Sequence, residues 1–160
     1  RYVSMRTFRS LQKKGDIVTA TEIPSASEER LYGYLARDIE AAWSASRLPV
    51  VVTETHLLQG LAKHYGRRAV LSFGLLPPGR SRRTMLSQLL FRLRHRGRDT
   101  EEQIEERIRN AREDLQFIQR RSDLFDHVLV NEDIESLLTV LKKHVLGLAQ
   151  GFSLARAENG

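Results

Sequence analysis

The sequence predicts an α/β fold in which a parallel sheet is covered by helices, giving three layers. Short segments rich in β-branched and apolar residues alternate with longer segments whose apolar residues follow helical spacing. Strands of such a sheet are buried and are joined by right-handed helical crossovers. With 160 residues, the chain is long enough to bury a core without disulfides or structural metals.

The first half of the chain is predicted to begin with a capped helix. Ser4 is a suitable N-cap for a helix over residues 5–14, which Gly15 ends. β-branched residues predict a strand over 16–23 and a buried strand over 48–54. The remaining elements predicted here are a polar loop over 23–30, a helix over 34–46 and a short helix over 56–65.

The second half is predicted to alternate two strands with three helices. A buried strand over 69–79 ends at two prolines, and leucines at helical spacing predict a helix over 82–96. Thr100 and Gln103 form a capping box for a helix that runs to about residue 121. A strand over 125–131 follows, then a helix from Glu132 or Asp133 to about 148, and a flexible tail over 149–160.

Composition excludes several classes of site. The chain has no cysteine, so it forms neither disulfides nor thiolate metal sites, and its five histidines lack metal-ligand spacing. It contains no G-x-S-x-G nucleophile motif. No apolar run is long enough to span a membrane, and no signal peptide is recognisable. We therefore expect an intracellular, cytoplasmic protein with no metal site, and a chain that begins with Arg1 suggests a piece of something longer.

The basic charge is concentrated in one segment. Seven arginines and no acidic residue lie between Arg80 and Arg98, against a net charge of +6 for the whole chain. Three interpretations remain open: a solvated helix face, a nucleic-acid or anionic-membrane patch, and a phosphate-gripping lid. Under the third, Arg92, Arg96 and Arg107 converge on a phosphoryl group if Gly97 lets the chain fold back.

Two polar residues follow predicted strands, where parallel α/β sheets bind ligands. Glu54 is placed to meet a ligand or Mg²⁺, or else it only stabilises the start of the next helix. Asn131 is placed to contact a base, or else it only turns the chain before the last helix.

Three motifs in order, "LLPPG", "RLRHRGRDTEEQIEERI" and "FDHVLVNEDIESLLTVLKKHV", resemble the guanylate kinase family over about residues 69–146. Upstream, "RYVSMRTFRSLQKKGDIV", "RLYGYLARDIEAA" and "VVVTETHLLQG" resemble it more loosely. The resemblance implies a P-loop NTPase fold over residues 1–148, with a GMP-subdomain-like part at about 16–40 and a lid-like part at about 82–121.

The resemblance also implies roles for six residues. Arg92, Arg96 and Arg107 match the lid arginines that contact nucleotide phosphates. Tyr32 matches a tyrosine of the GMP subdomain, Asn131 an asparagine near the adenine, and Glu54 stands near a strand-end aspartate.

The chain also departs from the family pattern. The P-loop motif G-x-x-x-x-G-K-[ST], whose amides and lysine hold phosphates, is absent from these 160 residues, and with it the first strand. Where the family usually has a guanine-reading glutamate, this chain has Thr19.

Three functional hypotheses follow. The first is a non-catalytic guanylate kinase-like module, requiring no cofactor, that binds GMP or a phosphorylated or acidic protein at its GMP-like region. The second is a fragment of an active ATP:GMP phosphotransferase that uses ATP and Mg²⁺. The third is a basic RNA-associated protein that binds through Arg80–Arg98.

Overall fold

A computed structural model describes residues 2–23 and 30–158, with side chains over 2–22 and 30–147. The chain divides into two compact units, residues 1–72 and 73–160. The predicted loop over 23–30 falls almost entirely outside the described residues.

The first unit contains an antiparallel pair of strands and three helices. Helix α1 (Met5–Lys14) starts at Ser4, whose hydroxyl accepts a hydrogen bond from the Thr7 amide, and ends at Gly15 with φ of 78°. Strand β1 (Ile17–Ile23) pairs with β2 (Arg30–Leu35), a strand that the sequence analysis missed. Helices α2 (Ala36–Ser44) and α3 (Thr55–Tyr65) follow, then a 3₁₀ turn at Arg67–Ala69.

The predicted buried strand over 48–54 is wrong. These residues form no strand, and Val50 and Val52 are 76% and 99% exposed. β-branched residues favour extended backbone locally, but a strand also needs a hydrogen-bonded neighbour. No described strand pairs with this segment.

The second unit contains a parallel pair of strands. Strand β3 (Phe73–Leu76) pairs in register with β4 (His127–Val130), so that Phe73 lies opposite His127 and Leu76 opposite Val130. Helices α4 (Arg82–Arg96) and α5 (Glu101–Arg120) connect them, with a 3₁₀ turn at Ser122–Leu124. β3 is shorter than the predicted strand over 69–79, and it is not fully buried, since Leu75 is 47% exposed.

Helix α6 (Ile134–Glu158) begins as predicted, because the Asp133 carboxylate accepts a hydrogen bond from the Ser136 amide. It continues to Glu158, past the end predicted near residue 148 and into the predicted tail. Leu, Ala, Arg and Glu in this region have high helix propensity, which offsets the cost of the single Gly151.

Each unit has its own apolar core. That of the first unit consists of residues from α2 and α3, and that of the second of residues from α4, α5, α6 and the second 3₁₀ turn. The most buried apolar residues are Ile39, Leu57, Leu58, Leu61 and Ala62 in the first unit, and Leu93, Ile104, Leu115, Leu124 and Leu137 in the second.

Candidate functional site

The turn between α4 and α5 brings the two helices into contact. Gly97 ends α4 in the left-handed region with φ of 64°, a conformation that glycine adopts without strain. Three residues later, the Thr100 side chain accepts a hydrogen bond from the Gln103 amide and starts α5. The chain therefore folds back within four residues, and α4 packs against α5.

Asp99, inside this turn, joins two of the predicted site arginines. One carboxylate oxygen lies 2.6 Å from Nη2 of Arg96, and the other lies 3.2 Å from Nη2 of Arg107. Only 9% of the Asp99 side chain is exposed, against 44% for Arg96 and 54% for Arg107. The hydrogen bond from Arg96, helped by the charge of Arg107, lowers the pKa of Asp99 below its ordinary value of 3.8.

We call Arg96 and Arg107 the arginine pair. Both arginines and the Gly97 turn were expected from the sequence, but Asp99 was not. The signal was an acidic residue at the first position after "RGR", directly before the Thr100 cap.

Arg92 makes a different set of contacts. Its guanidinium donates to the carbonyl oxygens of Asn131 and Glu132, each at 2.7 Å. The Asn131 amide in turn donates to the carbonyl oxygen of Leu76 at 2.8 Å. Arg92 thus fixes α4 to the backbone that follows β4, beside the end of β3.

A cleft of about 250 Å³ lies at the carboxyl ends of β3 and β4. Its walls are mostly apolar, with three polar side chains that belong to Arg92, Asp114 and Asn131. Ligand pockets typically enclose about 300–1,000 Å³, so the volume suits part of a nucleotide, such as a base, better than a whole one. The lining residues are Leu75, Leu76, Pro77, Leu89, Arg92, Ala111, Asp114, Leu115, Ile118 and Asn131.

The other two predicted site residues, Tyr32 and Glu54, lie in the first unit. Tyr32 is on β2 opposite Thr21 and is 53% exposed. The Glu54 carboxylate caps α3: its two oxygens accept hydrogen bonds from the amides of His56 and Leu57, both at 2.8 Å. The local geometry therefore matches the helix-start interpretation of Glu54.

Thr19, at the position where the family usually has a glutamate, faces a helix. An added Cβ at Gly60 of α3 would overlap the Oγ1 and Cβ atoms of Thr19. The Thr19 side chain therefore lies against the α3 backbone and helps to pack that helix on β1.

Several arginines of the basic segment have partners within the chain. Arg82 donates to the Gln119 side chain at 3.0 Å, and Arg94 forms an ion pair with Glu101 at 2.9 Å. With Arg92 and Arg96, four of the seven arginines between Arg80 and Arg98 contact their own chain.

Within the described part of the chain, no group of three or more metal-ligating side chains is close enough to hold a metal ion. The rings of His127 and His144 lie 3.9 Å apart between centroids, tilted by 38°, and Phe73 stacks on His127 at 5.2 Å. Among the described residues, no helix has the length and hydropathy of a membrane span.

Comparisons with known proteins support the resemblance. No protein-family model matches the chain. A guanylate kinase from Bacteroides fragilis is 34% identical over 126 residues, which are 78% of this chain and 53% of that protein. Guanylate kinase 1 from Oryza sativa is 57% identical over 52 residues, or 32% of this chain and 13% of that protein. One from Porphyromonas gingivalis is 25% identical over 144 residues, or 90% of this chain and 69% of that protein.

A crystal structure agrees at the level of the fold. The guanylate kinase from Anaplasma phagocytophilum matches with a TM-score of 0.62 at 18% identity, over 92% of this chain and 64% of that one. The predicted α/β class is thereby confirmed. This chain spans about half the length of the Bacteroides fragilis relative. Guanylate kinase homologues cover most of the chain and a guanylate kinase structure matches its fold, and both support a guanylate kinase-like family.

Proposed function

We propose that this chain is a guanylate kinase-like module that binds a nucleotide or phosphorylated ligand but does not itself transfer phosphate. The observation that carries the proposal is the placement of cations along α4. Arg92 borders the cleft, and Arg96 follows it by one helical turn, a rise of about 6 Å, where it meets Arg107. That spacing suits a base or sugar in the cleft and a phosphate at the arginine pair.

The proposed lack of catalysis rests on the phosphate cradle. The 160 residues contain no G-x-x-x-x-G-K-[ST] motif, so neither its amides nor its lysine is available to hold β- and γ-phosphates. One preorganised contact to a developing charge is worth about 3 kcal/mol, and such a cradle supplies several. The two arginines alone therefore bind phosphate without activating its transfer.

Mg²⁺ fits this chain poorly. Glu54, the carboxylate predicted to meet a metal ion, has both oxygens committed to the amides of α3. In an active kinase, ATP supplies the phosphoryl group and Mg²⁺ neutralises its charge. The residues of this chain that serve such a ligand are Arg92, Arg96, Arg107 and Asn131, which bind and orient it.

The first prediction concerns ATP binding, measured by calorimetry on the 160-residue protein. Substituting either Arg96→Gln or Arg107→Gln should weaken ATP binding about tenfold, the equivalent of one charged hydrogen bond. Arg109→Gln is the matched control, since it removes one charge from the exposed surface of the same helix and should change binding little. Equal effects of all three substitutions would contradict the proposal.

A turnover assay tests the catalytic part separately. Wild-type protein with ATP, Mg²⁺ and GMP should consume no ATP above the rate without GMP. Measurable GMP-dependent consumption would overturn the non-catalytic proposal.

Such turnover would favour a second candidate, a part of an active ATP:GMP phosphotransferase. The arginine pair favours this candidate, because those side chains serve phosphate chemistry. Expression from a gene segment that extends upstream of Arg1 should then raise turnover further.

RNA association through Arg80–Arg98 is less favoured, because four of these seven arginines are engaged within the chain. If RNA is the ligand, its affinity should fall steeply with salt. Weak or salt-independent RNA binding would exclude that role.

A further inference from the structure

The arginine pair poses an electrostatic problem that Asp99 solves. Arg96 and Arg107 come from different helices and carry like charges, yet one carboxylate contacts both, at 2.6 and 3.2 Å. Without an anion between them, two guanidinium groups brought to the same place would repel each other. Asp99 supplies that anion from the turn that joins the two helices.

The contacts to Asp99 leave most of the pair free to bind a ligand. Each guanidinium has five N–H donors, and the contacts to the carboxylate run through Nη2 of each arginine. Both arginines are about half exposed, whereas Asp99 is 9% exposed. The three groups together carry a charge of +1, from two cations and one anion, with unused donors on the solvent side.

We infer that Asp99 is a positioning residue that assembles Arg96 and Arg107 into a single oxyanion subsite for a phosphoryl group. This inference rests on the proposed function and deepens it. The phosphoryl group binds to the exposed donors of the pair while Asp99 stays behind them. Because the two guanidiniums are already gathered, the ligand does not bear the cost of ordering them.

A different arrangement would give the opposite effect. Asp99 could instead occupy the site until a phosphate displaces it. Replacing Asp99 with a neutral residue would then release the arginines and tighten anion binding. Simple electrostatics also predicts tighter anion binding, since Asp99→Asn raises the local charge from +1 to +2. Only a positioning role makes the more positive variant bind an anion more weakly.

The deciding experiment is a calorimetric titration of the 160-residue protein with inorganic pyrophosphate. Asp99→Asn should weaken binding at least about tenfold, as expected for the loss of one charged hydrogen bond. Asp99→Glu, which keeps the carboxylate, should recover part of the affinity. Asp123→Asn is the matched control: it removes the same charge from a carboxylate that pairs with Arg121 near the other end of α5, and should leave binding within about twofold.

Unchanged or tighter pyrophosphate binding by Asp99→Asn would overturn the inference, and so would wild-type protein that binds no pyrophosphate. Thermal melting of each variant confirms that it is folded. Should Asp99→Asn fail to fold, Asp99→Ser, which also removes the carboxylate, takes its place: a loss of affinity in Asp99→Ser but not in Asp123→Asn supports positioning, and no loss overturns it.

A second measurement separates this inference from the proposed function. Guanidinium rotation of Arg96 and Arg107, measured by NMR without ligand, should be slow in wild-type protein and fast in Asp99→Asn. ATP titrations of the same samples then distinguish two failures. ATP binding that is insensitive to Asp99→Asn overturns only the positioning role, whereas absent ATP binding overturns the nucleotide-binding function as well.

Discussion

Gly60 shows how a single residue can oppose the preference of its own helix. Alanine is favoured over glycine in a helix by about 1 kcal/mol. At Gly60, however, the alanine methyl group would overlap Thr19 of the neighbouring strand. We predict that Gly60→Ala lowers the free energy of unfolding by about 1–3 kcal/mol, the usual cost of overpacking, as measured by urea denaturation.

Gly147 of α6 provides the control, because it is also helical and an added Cβ there has no neighbour within 4 Å. Gly147→Ala should stabilise the protein by up to about 1 kcal/mol. If both substitutions shift the free energy of unfolding in the same direction, the packing of Thr19 against α3 is not as described.

The same distinction between local and tertiary information explains how much of the candidate site was predictable. Arg96, Arg107 and the Gly97 turn were accessible to sequence reasoning because glycine at a helix end has a local meaning. The contact of Asp99 with Arg107 was not, because it depends on how α5 packs against α4. Glu54 carried two interpretations, and the hydrogen bonds to the α3 amides support the helix-start one.

At the scale of elements, helices with capping residues were predicted well and strands were not. The bounds of α4 match those read from the sequence, and α5 ends one residue earlier than expected. Caps act within one turn, so the sequence contains the information. Strand β2 was missed and a strand over 48–54 was wrongly expected, because a strand forms only where another segment pairs with it, and residue type alone does not say whether such a segment exists.

The exposure of the 48–54 segment leads to an element-scale prediction. Val52→Ala should change the free energy of unfolding by less than about 0.5 kcal/mol, as surface substitutions do. Leu57→Ala, at a 4% exposed position in the next helix, should cost about 2–5 kcal/mol. Urea denaturation of both variants makes the comparison. A cost for Val52→Ala that approaches that of Leu57→Ala would restore the buried-strand prediction.

At the scale of the whole molecule, the fold class was predictable because it depends on the order of many elements. Errors at 30–35 and 48–54 did not alter the alternation of extended and helical segments. The small sheets were not predictable in the same way: among the described residues they are one antiparallel and one parallel pair. How many strands join a sheet depends on long-range pairing that no local pattern encodes.

The pH dependence of stability also belongs to the whole molecule, and we predict that stability falls on both sides of a plateau. Hydrogen bonds from Arg96 and Ser136 lower the pKa of Asp99 and Asp133 below 3.8. Because these folded-state pKa values lie below the unfolded ones, the stabilisation is present above about pH 4 and is lost on acidification. Burial, and to a smaller extent the charge of Glu40, raises the pKa of Tyr65 above 10.0. The folded state is therefore destabilised as pH rises from about 10 through the raised pKa, where the unfolded chain ionises more readily.

Urea denaturation across pH measures this profile, and one variant tests each side. Asp99→Asn removes one of the lowered carboxyl pKa values, so its free energy of unfolding should decline less than that of wild-type protein below about pH 4. Tyr65→Phe removes the buried phenol and should reduce the decline above about pH 10 while leaving the acid side unchanged. An acid decline that Asp99→Asn leaves unaltered would mean that the carboxylate gains nothing from Arg96 and Arg107 in the folded chain. Something other than Asp99 would then have to hold Arg96 and Arg107 close together.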